Sequence, residues 1–284
     1  MNSSVMRFLF DNHGVRGEIV RLREPLQQLL APHHYPLCVA RLISELAAAA
    51  CLIAATLKDG SEIMVQLRGG EKSPVKYALI NIRQNLSFYG SASLRDDLPC
   101  PDNLEFGQLL GTDSVLVLTI FPLHESKWQG IAAVDPLSLG ASLEAYFRTS
   151  QQLPTRFFMR SDPDLHASGG IMLQIIPEIK GNLESLQHLG TLCATLTTEE
   201  LFSLETTEIL GRLFAREDVR IFPEKIVKFQ CICSKERCIS VLETLSAAEI
   251  DPLIKAGGTT MTCQHCGQVY TFSRDELEAV RKHL

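Results

Sequence analysis

The sequence predicts an α+β fold in three parts: an N-terminal core of mixed sheet and helix over residues 1–177, a helical linker over residues 178–230, and a small cysteine-bearing domain over residues 231–284. Three observations predict it. The first part carries many short strand-like runs broken by a few separated helices, the pattern of elements that segregate rather than alternate. The second part loses that alternation and places leucines at helical spacing. The third is short of apolar residues yet holds two tight cysteine pairs, so something besides a hydrophobic core must hold it together.

Each element follows from its local chemistry. Met6 to Leu22 alternates apolar and polar as strands do. Pro25 opens a short helix through Leu30, because a proline in the first turn gives up no helical hydrogen bond. Pro36 opens a longer one through about Leu57, whose Ala47–Ala50 middle permits close packing on a sheet. Strands are expected at Ile63–Leu67, Lys76–Ile82 and Leu86–Tyr89, with turns at Gly69-Gly70 and Asn81–Asn85. Ser114–Phe121 and Trp128–Val134 form a hairpin around His124–Lys127, and Leu139–Ser150 is a helix. Thr155–Arg160 and Ile171–Ile176 are strands joined by the turn-rich Ser161–Gly170, and the core ends near Pro177. In the linker, Leu183, Leu186, Leu189 and Leu192 recur at helical spacing, as do Ile209, Leu210, Leu213 and Phe214 further on. Two or three such amphipathic helices cannot close a core alone, so the N-terminal sheet is the surface they need.

Composition narrows the function. The chain has a net charge of −6, and residues 231–284 carry six Lys/Arg against seven Asp/Glu. A module gripping nucleic acid draws its affinity from neutralising phosphates and should be basic, so a zinc ribbon tethered to nucleic acid is the weaker alternative. Met1–Val5 lacks the basic and long apolar regions of a secretory signal. The most apolar run, Leu46–Leu57, is about half of a membrane span and reads as a core helix. The expectation is a cytoplasmic protein with no membrane segment, in a reducing compartment where its nine cysteines are thiols or metal ligands. Cys38, Cys51 and Cys193 fall in helical patterns and read as core residues, while Cys100, between Pro99 and Pro101, reads as a loop thiol without a role.

Four cysteines stand apart. Cys231-Ile232-Cys233 and Cys263-Gln264-His265-Cys266 deliver two sulfurs each, 29 residues apart. A tetrahedral Zn²⁺ takes four thiolates at about 2.3 Å, which two such knuckles supply. The Cys-x-Cys half is rarer than Cys-x-x-Cys. Its sulfurs share a metal readily and also form a small, strained and therefore labile disulfide. Spacing alone leaves open whether the zinc is structural or meant to be lost. Cys238 precedes an expected helix, Ile239–Leu245, and is left out as a half-buried small hydrophobe. A disulfide oxidoreductase would place Cys-x-x-Cys where a strand turns into a helix, whereas Gly267–Phe272 reads as a turn and then a strand. A zinc deaminase would need His-x-Glu upstream and Pro before Cys-x-x-Cys, and Thr262 stands there instead. No phosphate-binding Gly-rich loop, nucleophile elbow or other catalytic constellation is present, so no enzymatic activity is expected.

The chain resembles the heat shock protein 33 family of redox-regulated holdase chaperones. The cysteine element carries the resemblance, together with Cys231–Cys238 as a run, Tyr146-Phe147, Gln152–Arg156, Gly169–Gln174 leading to Pro177, Arg16-Gly17-Glu18 and Leu26-Gln27-Gln28. It spans essentially the whole chain. The resemblance implies a small C-terminal zinc-binding domain with one Zn²⁺ per chain, held in the reduced form by Cys231, Cys233, Cys263 and Cys266. It implies that hypochlorous acid, or peroxide under unfolding conditions, releases the zinc and pairs Cys231 with Cys233 and Cys263 with Cys266. The linker then unfolds, and unfolded or partly unfolded client proteins bind to a core domain that also dimerises. Clients would pass to ATP-dependent foldase chaperones, with no ATP used by the chain itself. Cys38, Cys51, Cys100 and Cys193 are expected to remain thiols.

Overall fold

The computed structural model describes residues 2–57, 61–124, 126–177 and 182–282. Residues 178–181, where the linker was expected to begin, and Glu125 of the expected hairpin loop lie outside the described residues. The chain divides into two compact units, Met1–Gln230 and Cys231–Leu284.

The first unit is α+β. Strands β1 (Ser4–Phe10) and β2 (Val15–Leu22) form a hairpin, followed by helices α1 (Glu24–Leu30) and α2 (Leu37–Ala54). Then come β3 (Glu62–Arg68), β4 (Val75–Ile82), β5 (Ser87–Leu94), α3 (Phe106–Leu110), β6 (Val115–Phe121) and β7 (Trp128–Ala133). Helix α4 (Leu139–Ser150) leads to β8 (Thr155–Asp162) and β9 (Ala167–Ile175). Helices α5 (Asn182–Ala194), α6 (Thr198–Ser203) and α7 (Thr206–Leu213) precede the short strands β10 (Val219–Ile221), β11 (Lys225–Ile226) and β12 (Lys228–Phe229). One sheet has the order β10-β1-β2-β9-β8, with β11 also on β1, and the other β12-β5-β4-β3-β6-β7. Among the described residues, only the β12–β5 pair is parallel.

Helix α2 touches strands of both sheets and buries thirteen residues, including Ala47–Ala50. By length and composition it is apolar enough to cross a membrane, but its apolar surface is taken up by this core. A second core lies on the other face of the first sheet. There Phe8, Phe10, Ile19, Phe158 and Ile171 pack against Leu186, Leu189, Leu201, Ile209, Leu210, Leu213 and Phe214 of α5–α7 and the residue after them. The amphipathic stripes read from the sequence are thus the sides that meet the sheet, except that Leu183 is 52% exposed and Leu192 only partly buried.

Several elements depart from expectation. Helix α2 ends at Ala54 rather than Leu57, and β5 runs on to Leu94 through Gly90-Ser91-Ala92-Ser93. The five-residue α3 was not foreseen; a capping box between Glu105 and Gln108 starts it. Gly169-Gly170 lies inside β9 and not in a turn, because adjoining backbones come so close there. A Cβ on Gly169 would stand 2.3 Å from the Val20 carbonyl oxygen, and one on Gly170 2.3 Å from that of Phe158. The connection between β8 and β9 therefore shrinks to Pro163–His166. The end of the linker is not helical either. Pro223 interrupts it, and β10, β11 and β12 pair with the otherwise open edges of β1 and β5.

One buried charge sets a pH dependence. Glu18 on β2 is fully buried, its oxygens accept no hydrogen bond, and Arg7 Nε lies 3.5 Å from Oε1. Burial raises its carboxyl to about 7, against the opposing pull of Arg16 and Arg7. A carboxyl raised above its unfolded value of 4.5 gives stability that is complete below that value and lost as pH climbs through about 7. Glu18→Gln is therefore expected to stabilise this unit by about 3 kcal/mol at pH 8 and by less than about 1 kcal/mol at pH 5. Trp128, the chain's single tryptophan, lies in β7 and reports urea unfolding of this unit by fluorescence. An equal gain at both pH values would refute the assignment.

Candidate metal centre

The second unit is built from helices α8 (Lys235–Leu242) and α9 (Ala247–Lys255), a hairpin of β13 (Gly258–Thr262) and β14 (Val269–Ser273), and α10 (Arg274–Lys282). Ser234 caps α8 by accepting the Arg237 N–H, and a capping box joins Ser246 and Glu249 at the start of α9. The buried apolar side chains here are Leu242, Ile250, Phe272, Leu277 and Val280. Val269, on β14, is 51% exposed and adds nothing to this core. So small a core does not hold a chain segment of this length without help.

That help is available at one end of the hairpin. The residues between β13 and β14 form a tight knuckle: Cys263 N–H donates to the Gln268 carbonyl at 2.9 Å, and Gly267 N–H to the Cys263 carbonyl at 2.9 Å. Gly267 sits at φ +71°, a left-handed conformation that side chains disfavour. The knuckle brings the Cys263 and Cys266 sulfurs beside the extended Cys231–Cys233 segment that leads into α8. Cys231 Sγ lies 3.6 Å from Cys263 Sγ, and Cys233 Sγ lies 3.3 Å from Cys266 Sγ. All four sulfurs fall within 4.8 Å of one another. Ligands at about 2.3 Å in a tetrahedron stand roughly 3.8 Å apart, so the donor set suits Zn²⁺ in both chemistry and spacing.

The electrostatics fit the same reading. Burial, followed by the surrounding sulfurs, pushes the Cys231 thiol well up, and burial first also pushes Cys266 up to about 11. Burial opposes ionisation of Cys233 too. There, hydrogen bonds from Tyr270 and from its sulfur neighbours outweigh it, and the thiol is lowered. Tyr270 Oη donates to Cys233 Sγ at 3.2 Å. A divalent cation would replace the shared protons of such a cluster. Sequence reasoning read Gly267–Phe272 as a turn and then a strand and missed this hydroxyl; nothing in the spacing marks it. Cys238 lies within α8, packs with the small core and is not among the four clustered sulfurs. The Cys-x-x-Cys half sits at a hairpin turn and not at the start of a helix, so it lacks the helix N-terminus that activates a thioredoxin-type nucleophile.

Comparison with known proteins agrees with this architecture. Residues 3–273 match the family model described as Hsp33 protein. The chain is 42% identical over 279 residues to the 33 kDa chaperonin of Photorhabdus laumondii, covering 97% of this chain and 94% of that protein. It is 39% identical over 280 residues to the 33 kDa chaperonin of Escherichia coli K12, covering 98% and 94%. The crystal structure of the 33 kDa chaperonin, a heat shock protein 33 homolog, from Thermotoga maritima superposes with a TM-score of 0.83 at 20% identity. It covers 99% of this chain and 98% of that one, a likeness of fold.

Proposed function

The chain belongs to the Hsp33 family and is a chaperone of that type, and on this premise we propose that its four-cysteine centre is a redox switch. In the reduced protein Cys231, Cys233, Cys263 and Cys266 hold one Zn²⁺, which supplies the cross-link that keeps residues 231–284 folded. A two-electron oxidant such as hypochlorous acid removes two electrons from each knuckle. Cys231 then pairs with Cys233 and Cys263 with Cys266, and the ion is released. The 3.6 and 3.3 Å sulfur contacts run between the knuckles, so proximity permits crossed pairing as well. The pairing within each knuckle is the one the family resemblance supports, and it leaves the two halves free to separate.

Residues 178–230 act as the linker that this change releases. While docked, α5–α7 cover an aromatic face of the first sheet that includes Phe8, Phe10 and Phe158. Once released, they expose that face and their own apolar stripes to unfolded or partly unfolded clients. Residues 1–177 bind clients and form the active homodimer in the cytoplasm, and clients pass to ATP-dependent foldases. The chain itself carries out no enzymatic turnover. The observation that carries this reading is the convergence of four sulfurs in a unit whose own core is too small to hold it.

The test is suppression of aggregation of a thermally unfolding client, with reduced and with oxidised protein, while zinc is measured on the same samples. Reduced protein is expected to carry about one zinc per chain and to protect weakly. Oxidised protein is expected to lose the metal and protect at near-stoichiometric amounts. Equal protection by both forms would end the switch reading.

A further inference from the structure

Two further cysteines lie together in the first unit. Cys38, in the first turn of α2, is buried, and the half-buried Cys100 sits in the segment joining β5 to α3. Their sulfurs are 3.8 Å apart. This proximity is built by the surrounding chain. The Asp102 carboxylate accepts the Leu37 N–H at 2.6 Å, and the Cys38 thiol donates to the Pro101 carbonyl at 3.3 Å. Both contacts tie the same short segment to the start of α2. Pro99 and Pro101 fix the backbone on either side of Cys100. A cleft of about 590 Å³ is lined by Leu37 and Asp102, close chain neighbours of the pair, and access to the pair itself is through the half-buried Cys100. Cys51 and Cys193 are different: each is buried in a core, which pushes its thiol far up.

We propose that Cys38 and Cys100 are a second redox pair, independent of metal, that closes to a disulfide under hydrogen peroxide or hypochlorous acid. This contradicts the sequence expectation that both remain thiols. Cys100 is the more exposed and meets the oxidant first. With peroxide its sulfur takes one oxygen, giving a sulfenic acid and one water. The Cys38 sulfur then attacks that sulfur, the S–S bond forms, the S–O bond breaks, and hydroxide leaves with the thiol proton as a second water. Two thiols lose two electrons, and peroxide is reduced to two waters. With hypochlorous acid the intermediate is a sulfenyl chloride, formed with loss of one water, and chloride and a proton leave. The sulfurs must close from 3.8 Å to about 2.05 Å.

Burial first, then the neighbouring Cys38 and Asp102, raise the Cys100 thiol to about 11, which slows it at neutral pH. Thiolates held by a metal carry no proton. The four-cysteine centre is therefore expected to oxidise first and this pair at higher oxidant, an order that rests on the zinc reading although the pair itself does not. The cross-link joins residues 62 apart and fastens α2, the helix between the two sheets, to the β5–α3 segment. It constrains the unfolded chain and strengthens the core in the same conditions that unfold clients.

The experiment is peptide mapping of the full-length protein after graded oxidation, with free thiols alkylated before digestion. A Cys38–Cys100 peptide that grows in after the four-cysteine centre has reacted is the expected result. Trp128 fluorescence should then show a rise on the order of 5 °C or more in the melting of the first unit. Cys100→Ser should abolish both, and Cys38→Ala provides a second variant should the first fold poorly. Recovery of Cys38 and Cys100 as alkylated thiols at oxidant well above that which has consumed Cys231, Cys233, Cys263 and Cys266 would overturn the proposal. So would Cys100 found as sulfinic or sulfonic acid with no cross-link. Either result reads on this pair whether or not zinc is bound elsewhere.

Discussion

Removal of zinc is expected to unfold Cys231–Leu284 outright and to leave the sheets of the first unit standing. Apparent zinc binding contributes about 10–16 kcal/mol to small domains of this kind, while a whole domain is stable by only about 5–15 kcal/mol. The second unit has few other means of support. Leu242, Ile250, Phe272, Leu277 and Val280 are its buried apolar side chains, and a fully buried one is worth about 1.5–3 kcal/mol against the cost of ordering the chain. Its ion pairs, such as Arg281–Asp251 and Arg274–Glu278, are exposed and add little. A chelator, or the Cys233→Ser/Cys266→Ser double variant, should therefore abolish amide protection in α8–α10 and in the β13–β14 hairpin. Trp128 fluorescence should stay native. Cys238→Ser should keep its zinc, because Cys238 lies outside the four-sulfur cluster. A protected hairpin in protein verified to hold no zinc would show that the metal is not what folds this unit. Near-stoichiometric zinc in the double variant would show that other residues bind it.

What the sequence made legible was periodic or compact in chemistry. Strand β3, buried at every second residue, and the short apolar runs of β4 and β6 appear close to where the sequence places them. The stripe of Leu186, Leu189, Ile209, Leu210, Leu213 and Phe214 meets a sheet, as amphipathic spacing requires. The four cysteines stood out because two short knuckles are the economical way to bring four soft donors together. The misses share a different cause: they depend on partners distant in sequence. Gly169-Gly170 looks like a turn until Val20 and Phe158 carbonyls are found where side chains would be. Val219–Ile221, Lys225–Ile226 and Lys228–Phe229 become short strands because β1 and β5 offer open edges, which no local pattern reveals. Tyr270 donates its hydroxyl to Cys233 in the four-sulfur cluster, a contact that only its place in the folded hairpin creates. Cys38 and Cys100 look idle separately, and only the fold brings them within 3.8 Å.

Polar substitution of Leu210 and Phe214 is expected to release α5–α7 and switch the chaperone on without oxidation, with zinc still bound. Phe214 is 2% exposed and packs edge-on against Phe10 with ring centroids 4.8 Å apart, and against Phe8 at 5.8 Å. Leu210 is 3% exposed in the same core. Truncating a buried Leu or Phe costs about 2–5 kcal/mol. Helix α7 has eight residues and α6 six, lengths that do not persist alone in water, so their helicity depends on this docking. Leu186, Leu189, Leu201, Ile209 and Leu213 remain in the same core, beside polar ties in which Glu217 accepts from His13 at 2.7 Å and His188 at 2.8 Å, and Arg160 donates to the Leu196 carbonyl at 3.0 Å. Single polar contacts of this kind contribute about 0.5–1.5 kcal/mol each. Losing these two anchors removes about 4–10 kcal/mol from the docked state, and a conformational gap of a few kcal/mol is easily crossed. Reduced Leu210→Ser/Phe214→Ser protein should show fast hydrogen exchange across residues 182–214 and protect a client nearly as well as the oxidised wild type. Zinc content should remain about one per chain, which separates linker release from loss of the metal. If the variant exchanged freely yet stayed inactive when reduced, release of these helices would not suffice, and the client-binding surface would have to be one that only the unfolding of residues 231–284 creates.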